Sequence, residues 1–185
     1  MITRVSPWRC MGRLLVLGLA AAVAACAAPA DPGRMVVTTA PAAGGFPPPL
    51  QRAMCVRAVT GGEATNPLWV SKVDNAGFHT ALSGSMDAAG LVAPANGCKY
   101  PVDANLLGLS QPIMGFDLEV TSHVNYKVYD TAGQPVLLAT ISAPFTATMA
   151  DSMIATVRLQ RANEGSIRAS IAQFLDRLRT LQIAD

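Results

Sequence analysis

The chain has 185 residues, 51% of them hydrophobic and 14% charged, with a formal net charge of +2. That length suits one ordinary domain with a real core. The positive charge sits in Arg4, Arg9 and Arg13, ahead of the first acidic residue, Asp31; without them eleven Lys and Arg face twelve acids, a charge of −1. This excludes a basic field that would gather nucleic acid or an anionic membrane surface.

Leu14 to Ala25 is an uncharged run of twelve Leu, Val, Gly and Ala residues. As a helix it rises ~18 Å, short of the ~30 Å hydrocarbon core that a spanning helix must cross. A basic start, a short apolar run and small residues at its end predict a secretory signal peptide over residues 1–25. Val23-Ala24-Ala25-Cys26 resembles the lipobox of bacterial lipoproteins. That resemblance implies that the Cys26 thiol takes a diacylglyceryl group and that cleavage frees its amine for a further acyl chain. It also implies outer-membrane placement facing the periplasm, because Ala27 rather than Asp follows the cysteine. One acyl chain binds a membrane marginally, whereas two or three anchor stably. The alternative is a plain signal peptide cut between Ala25 and Ala30.

Residues 27–50 hold six Pro, three Gly and six Ala among 24. Such a composition does not build a core, so residues 26–50 are expected to be a lipidated cysteine and a Pro/Ala-rich tether. Its reach is ~25 Å as a coil, or ~75 Å as extended polyproline. Residues 51–185 are then a single periplasmic domain, expected to fold without leader or tether.

Met54 to Thr60 reads as a first short strand closed by Gly61-Gly62, and Asn66-Pro67-Leu68-Trp69 as a turn or irregular piece. Asp74 can cap a helix from Asn75 toward Gly90, with Phe78, Leu82 and Met86 forming one apolar stripe that Gly77 and Gly84 weaken. A second strand is expected from Lys99 to about Leu109. From Phe116 to Tyr129 apolar and polar residues alternate, which predicts a strand with one covered and one wet face. Asp130-Thr131-Ala132-Gly133 turns into a fourth strand from Gln134 to Met149, where Pro144 favours an edge or a bulge. A long helix from about Asp151 to Leu181 follows, with Ile167, Ile171, Phe174, Leu175 and Leu178 as its apolar face. In its polar first half, Arg161, Glu164 and Arg168 read as surface ion pairs. The order β-α-β-β-β-α predicts an α+β two-layer sandwich: a four-stranded, mainly antiparallel sheet with two helices on one face.

A lipobox, a tether and one such domain resemble the small outer-membrane lipoproteins of Gram-negative envelopes. Among these, the architecture is similar to the lipopolysaccharide-assembly lipoprotein and the accessory lipoproteins of lipid-transport systems. The segments "VTGGEATNPLWVSKV", "LLGLSQPIMGFDLEV" and "RLQRANEGSIRASI" are similar to a widespread set of uncharacterised bacterial lipoproteins. No functional residue other than Cys26 carries over from these resemblances.

Nucleophile elbow, P-loop, zincin, C-x-x-C and dinucleotide motifs are missing. Ser83-Gly84-Ser85 lies in the striped helix and reads as helix surface. His79 and His123 fall on different elements, and His123, Asp117 and Glu119 belong to a solvated sheet face. The chain is therefore expected to be no enzyme, with no metal or other cofactor. Once Cys10 and Cys26 belong to leader and anchor, Cys55 and Cys98 remain in an oxidising compartment. A parallel β-α-β crossover brings both to one end of the sheet, so a Cys55–Cys98 disulfide is expected; two buried thiols are the alternative. The functional expectation is a non-catalytic, lipid-anchored module that binds an envelope protein or serves assembly or transport, with no nucleic-acid partner. The second possibility is a carrier of lipid or another small ligand.

Overall fold

The computed structural model describes residues 27–38, 45–66, 70–112 and 115–183. Its elements are a one-turn helix α1 (Pro32–Met35), β1 (Met54–Thr60), α2 (Asn75–Ala88), β2 (Tyr100–Ser110), β3 (Leu118–Tyr129), β4 (Pro135–Ala147) and α3 (Ala155–Arg179). The expected leader and Cys26 lie outside the described residues.

Local chemistry sets each boundary. The Asp74 carboxylate accepts the Gly77 amide at 2.7 Å and starts α2. Gly90, at φ +71°, takes the left-handed conformation that ends it. At the same end of the sheet as Gly90, Asp130 Oδ1 accepts the amides of Ala132 and Gln134, both at 2.8 Å, and folds β3 back into β4.

The four strands lie in the order β1-β2-β3-β4. β1 runs parallel to β2, because α2 carries the chain back between them, and the other two pairs are antiparallel. The fold is thus the expected α+β sandwich with a mixed sheet. β3 alternates as its sequence demands: Leu118, Val120, Ser122, Val124, Tyr126 and Val128 are buried, and the residues between them are half-buried or exposed. The strand starts at Leu118, and Phe116 stands outside the sheet, exposed. β4 is an edge strand, so Pro144, opposite Thr121, costs little in lost ladder bonds.

The core lies between the sheet and the helices. Tyr126 stacks on Phe174 with ring centroids 4.3 Å apart and meets Phe78 edge-on at 6.4 Å. Its hydroxyl is paired with Ser170 Oγ at 3.0 Å, and burial pushes its pKa well above the ordinary phenol value. Cys55 and Cys98 are joined, their Cα atoms 5.7 Å apart across a sequence separation of 43. The parallel register, which pairs Cys55 with Pro101, brings them together. A loop of that length contributes up to ~4 kcal/mol in the chain-entropy account.

The Pro-rich segment departs from the tether expectation. Residues 27–38 form a strap across the helix layer, and Met35, Phe46 and Leu50 are buried in the main core. Met35 belongs to α1, which Asp31 caps by accepting the Gly33 amide at 2.9 Å. Composition misleads here for a physical reason. A segment too poor in apolar residues to make a core can still fill one built by others, and its prolines lower the entropy lost on ordering it.

The domain boundary at residue 51 therefore cuts through the core. Deleting large buried side chains costs about 2–5 kcal/mol each, against a total stability of about 5–15 kcal/mol. In urea denaturation a 27–185 fragment is expected to unfold cooperatively. A 51–185 fragment, lacking Met35, Phe46 and Leu50, is expected to show a broad transition and to bind dyes that report exposed apolar surface.

Candidate functional site

Cys26 itself is outside the described residues, so its surroundings begin at Ala27, which is buried. From there the strap runs parallel to α3, one helical turn per contact. Gln160 Nε2 donates to the Pro29 carbonyl at 2.8 Å. The Asp31 amide donates to Glu164 Oε1 at 2.8 Å. Arg168 donates to the Arg34 carbonyl at 3.2 Å. On its other side the strap is held by α2 and its approach: Ala30 N–H bonds the Lys72 carbonyl at 3.2 Å, and Val37 N–H bonds Ser85 Oγ at 2.9 Å.

The two helices are shaped to receive it. On α2, a Cβ added at Gly84 would stand 3.3 Å from Val36, so the residue that weakens the helix also lets the strap approach. Ser85 is buried, donating to the Ala81 carbonyl at 2.7 Å while accepting from Val37; it is a strap contact, not surface. On α3, Ala162, Gly165, Ser166 and Ser170 form a small-residue face turned to the sheet. Ser166 Oγ bonds the Ala143 carbonyl at 3.0 Å, and Ser122 Oγ bonds the Ser166 carbonyl at 3.1 Å. A Cβ at Gly165 would overlap the Phe145 ring, so this helix reaches β4 only because that position has no side chain.

Glu164 corrects the reading of a surface ion pair. It is buried, and it accepts from the Asp31 amide, with Arg34 Nε 3.9 Å from its Oε2. Burial raises its pKa above the ordinary glutamate value, opposed by the Asp31 amide and the Arg34 charge. Arg161 turns to the Asp151 carbonyl and Arg168 to that of Arg34. The sequence carries a signal for the close packing of α3 on the sheet rather than for the burial of Glu164: small residues at 162, 165, 166, 169 and 170 follow helical spacing.

The remaining candidates are dispersed. His123 stands on the open sheet face with Nε2 3.2 Å from Ser110 Oγ and Nδ1 2.8 Å from Ser142 Oγ. Two hydroxyls on neighbouring strands thus hold the ring as a cross-strand bridge. The same face carries Arg57 paired with Asp103 at 2.5 Å and lying over the Tyr129 ring at 4.4 Å, and Asn125 bonded to Thr140 at 2.9 Å. Asp117 and Glu119 are exposed, and His79 is exposed on α2, in the other layer from His123. Among the described residues no group of three or more His, Cys, Asp or Glu could hold a metal ion. No helix among them is long and apolar enough to cross a membrane. A groove of about 420 Å³ opens between Val36–Thr38, Phe145 and the Gly165–Ala172 stretch of α3, with Arg168 on its wall.

No family model matches the chain, and no curated protein matches it. Among solved structures it is similar to a Xanthomonas campestris protein of the family DUF330, at 13% identity and TM-score 0.56, over 77% of this chain and 91% of that one. It is also similar to a dodecamer of PelC from Paraburkholderia phytofirmans, at 17% identity and TM-score 0.45, over 71% and 88% of the two chains. A lipoprotein candidate from Caulobacter crescentus aligns at 16% identity and TM-score 0.43, over 56% and 78%. At 13% identity the first likeness shows a shared fold, and the other two add no argument to it.

Because the folded pKa of Glu164 is raised, its contribution to stability is fully present below the unfolded carboxyl value and is lost as pH rises through the folded one. Glu164→Gln keeps an acceptor for the Asp31 amide but cannot titrate. As pH falls from neutral toward the ordinary glutamate value, the wild type is expected to gain stability relative to Glu164→Gln. Glu164→Ala, which leaves that amide unpaired, is expected to cost about 1–3 kcal/mol. Urea midpoints measured across the pH series check both outcomes.

Proposed function

We propose that this chain is a lipid-anchored lipoprotein of the cell envelope, acylated at Cys26, whose domain serves as a non-catalytic protein-binding or accessory module on the periplasmic side of the outer membrane. The observation that carries the reading is the Val23-Ala24-Ala25-Cys26 sequence, followed without a spacer by a chain docked on the domain from Ala27 onward. The basic start and short apolar run before it support export. The open sheet face supports the binding role: it is broad, polar and laced with cross-strand pairs, and its chemistry-bearing residues are occupied with one another. The groove beside Arg168 supports a second reading, a carrier of a small ligand, because its volume falls within the range of small-molecule sites.

Intact-mass measurement of the protein taken from its own envelope tests the anchor. The wild type is expected to lack residues 1–25 and to carry acyl adducts on Cys26. Cys26→Ser is expected to remain an unacylated precursor. An unmodified wild-type mass contradicts the lipoprotein reading. The same spectrum with and without reductant is expected to differ by the two hydrogens of the Cys55–Cys98 bridge. Chemical crosslinking in the envelope then separates the two roles: a module returns a protein partner, and a carrier returns bound lipid.

A further inference from the structure

Among the described residues five large apolar side chains are half or more exposed, and three of them share one end of the molecule: Phe116 at 82%, Met153 at 78% and Ile154 at 50%. The register shows why they meet. Leu118, the first residue of β3, pairs with Ala147, the last of β4, so Phe116 and the 148–154 loop leave the sheet at the same end. α3 runs alongside β3: Ala162 packs with Val120, Ser166 bonds Ser122, and Ser170 bonds Tyr126. Ile154 lies eight residues before Ala162, about 12 Å along the helix axis. The same distance along β3 is about four residues back from Val120, which is the level of Phe116.

The loop that presents Met153 and Ile154 is built rather than slack. Asp151 Oδ2 accepts the Thr148 amide at 2.7 Å and its hydroxyl at 3.0 Å, which hold the carboxylate below its usual pKa. Arg158 bonds the Ser152 carbonyl at 2.7 Å, and Arg161 bonds that of Asp151. With its polar groups tied inward, the loop leaves its apolar side chains outside.

The strap ends at this same place. Its contacts step from Arg168 to Glu164 to Gln160 as the chain is followed back from Arg34 to Pro29. Two residues farther back is ~7 Å of extended chain, or about four helical residues before Gln160, which extrapolates Ala27 to the level of the first turn of α3. The next residue is Cys26, and one peptide spans only ~3.8 Å between Cα atoms.

We infer that Phe116, Met153 and Ile154 form a membrane-seating rim: the lipid surface that holds the Cys26 acyl chains is also what covers them. This rests on acylation at Cys26. The domain then has no free tether but stands on the bilayer by its α3 N-terminal end, with the rim in the headgroup–acyl boundary. Exposed Asp117, beside Phe116, confines the insertion to that boundary. The β3–β4 turn, twelve strand residues away, is held about 40 Å out.

The test uses the mature lipidated protein in vesicles of phosphatidylethanolamine and phosphatidylglycerol with brominated acyl chains. A single tryptophan is introduced by Phe116→Trp or, for comparison, by Leu138→Trp, each in a Trp69→Phe background. Leu138 is exposed and lies nine β4 residues from Ala147, toward the far end of the sheet. The indole of the Phe116→Trp variant is expected to shift to shorter wavelength and to lose roughly half or more of its emission to the bromines, as a side chain at interfacial depth does. The indole of the Leu138→Trp variant is expected to keep its emission. If the Phe116→Trp protein floats with the vesicles yet stays unquenched, the rim is overturned and a protein is left as the cover of this surface. Protein that carries no acyl adduct and does not float overturns the rim together with the anchor on which it rests.

Discussion

Met35 is fully buried although it belongs to a stretch whose neighbours are mostly Pro, Ala and Gly. Two helices laid on a four-stranded sheet leave a trough between them, and the strap that carries Met35 fills it. Its amides and carbonyls find partners on both sides: Lys72 and Ser85 toward α2, and Gln160, Glu164 and Arg168 along α3. Buried backbone groups without partners would cost more than Met35 returns, so the contacts and the burial stand or fall together. The small residues Gly84 and Ser85 and the buried acid Glu164 all follow from this one requirement.

Beneath the strap the sheet is organised around Tyr126. Its ring lies against Phe174 and Phe78, one from each long helix, and its hydroxyl is satisfied by Ser170. Tyr126 thereby fixes where α2 and α3 sit on β3, and Gly165 against Phe145 sets how closely α3 crosses to β4. The Cys55–Cys98 link closes the β1-α2-β2 unit at the end where both strands begin. Helices and strap lie on one side, and the other side is free for a polar face of paired side chains.

Much of this was legible in the sequence. The long alternation of β3, the Asp74 cap and the stripe of Phe78, Leu82 and Met86 are local patterns with local causes, and the β-α-β-β-β-α order follows from them. What local patterns do not carry is non-local. Nothing near Met35, Phe46 or Leu50 announces burial, because the surface that receives them is made by residues far along the chain. Glu164 fits a surface pair by spacing alone and is buried only because the strap lies over it. The small-residue face of α3 was visible, but Gly, Ala and Ser side chains offer little apolar area and so do not stand out as a packing face.

Together these features make the segment after Cys26 part of the domain rather than a leash. With Cys26 acylated as proposed, a docked strap would set the orientation of everything beyond it, whereas a free tether would set only its distance. Amide hydrogen exchange read at residues 27–38 tests this most directly. Asp31 and Val37 amides are expected to be protected to nearly the level of the β3 core, since freeing them requires opening the helix layer. Exchange across 27–38 at unstructured-peptide rates, with β3 still protected, would contradict the account.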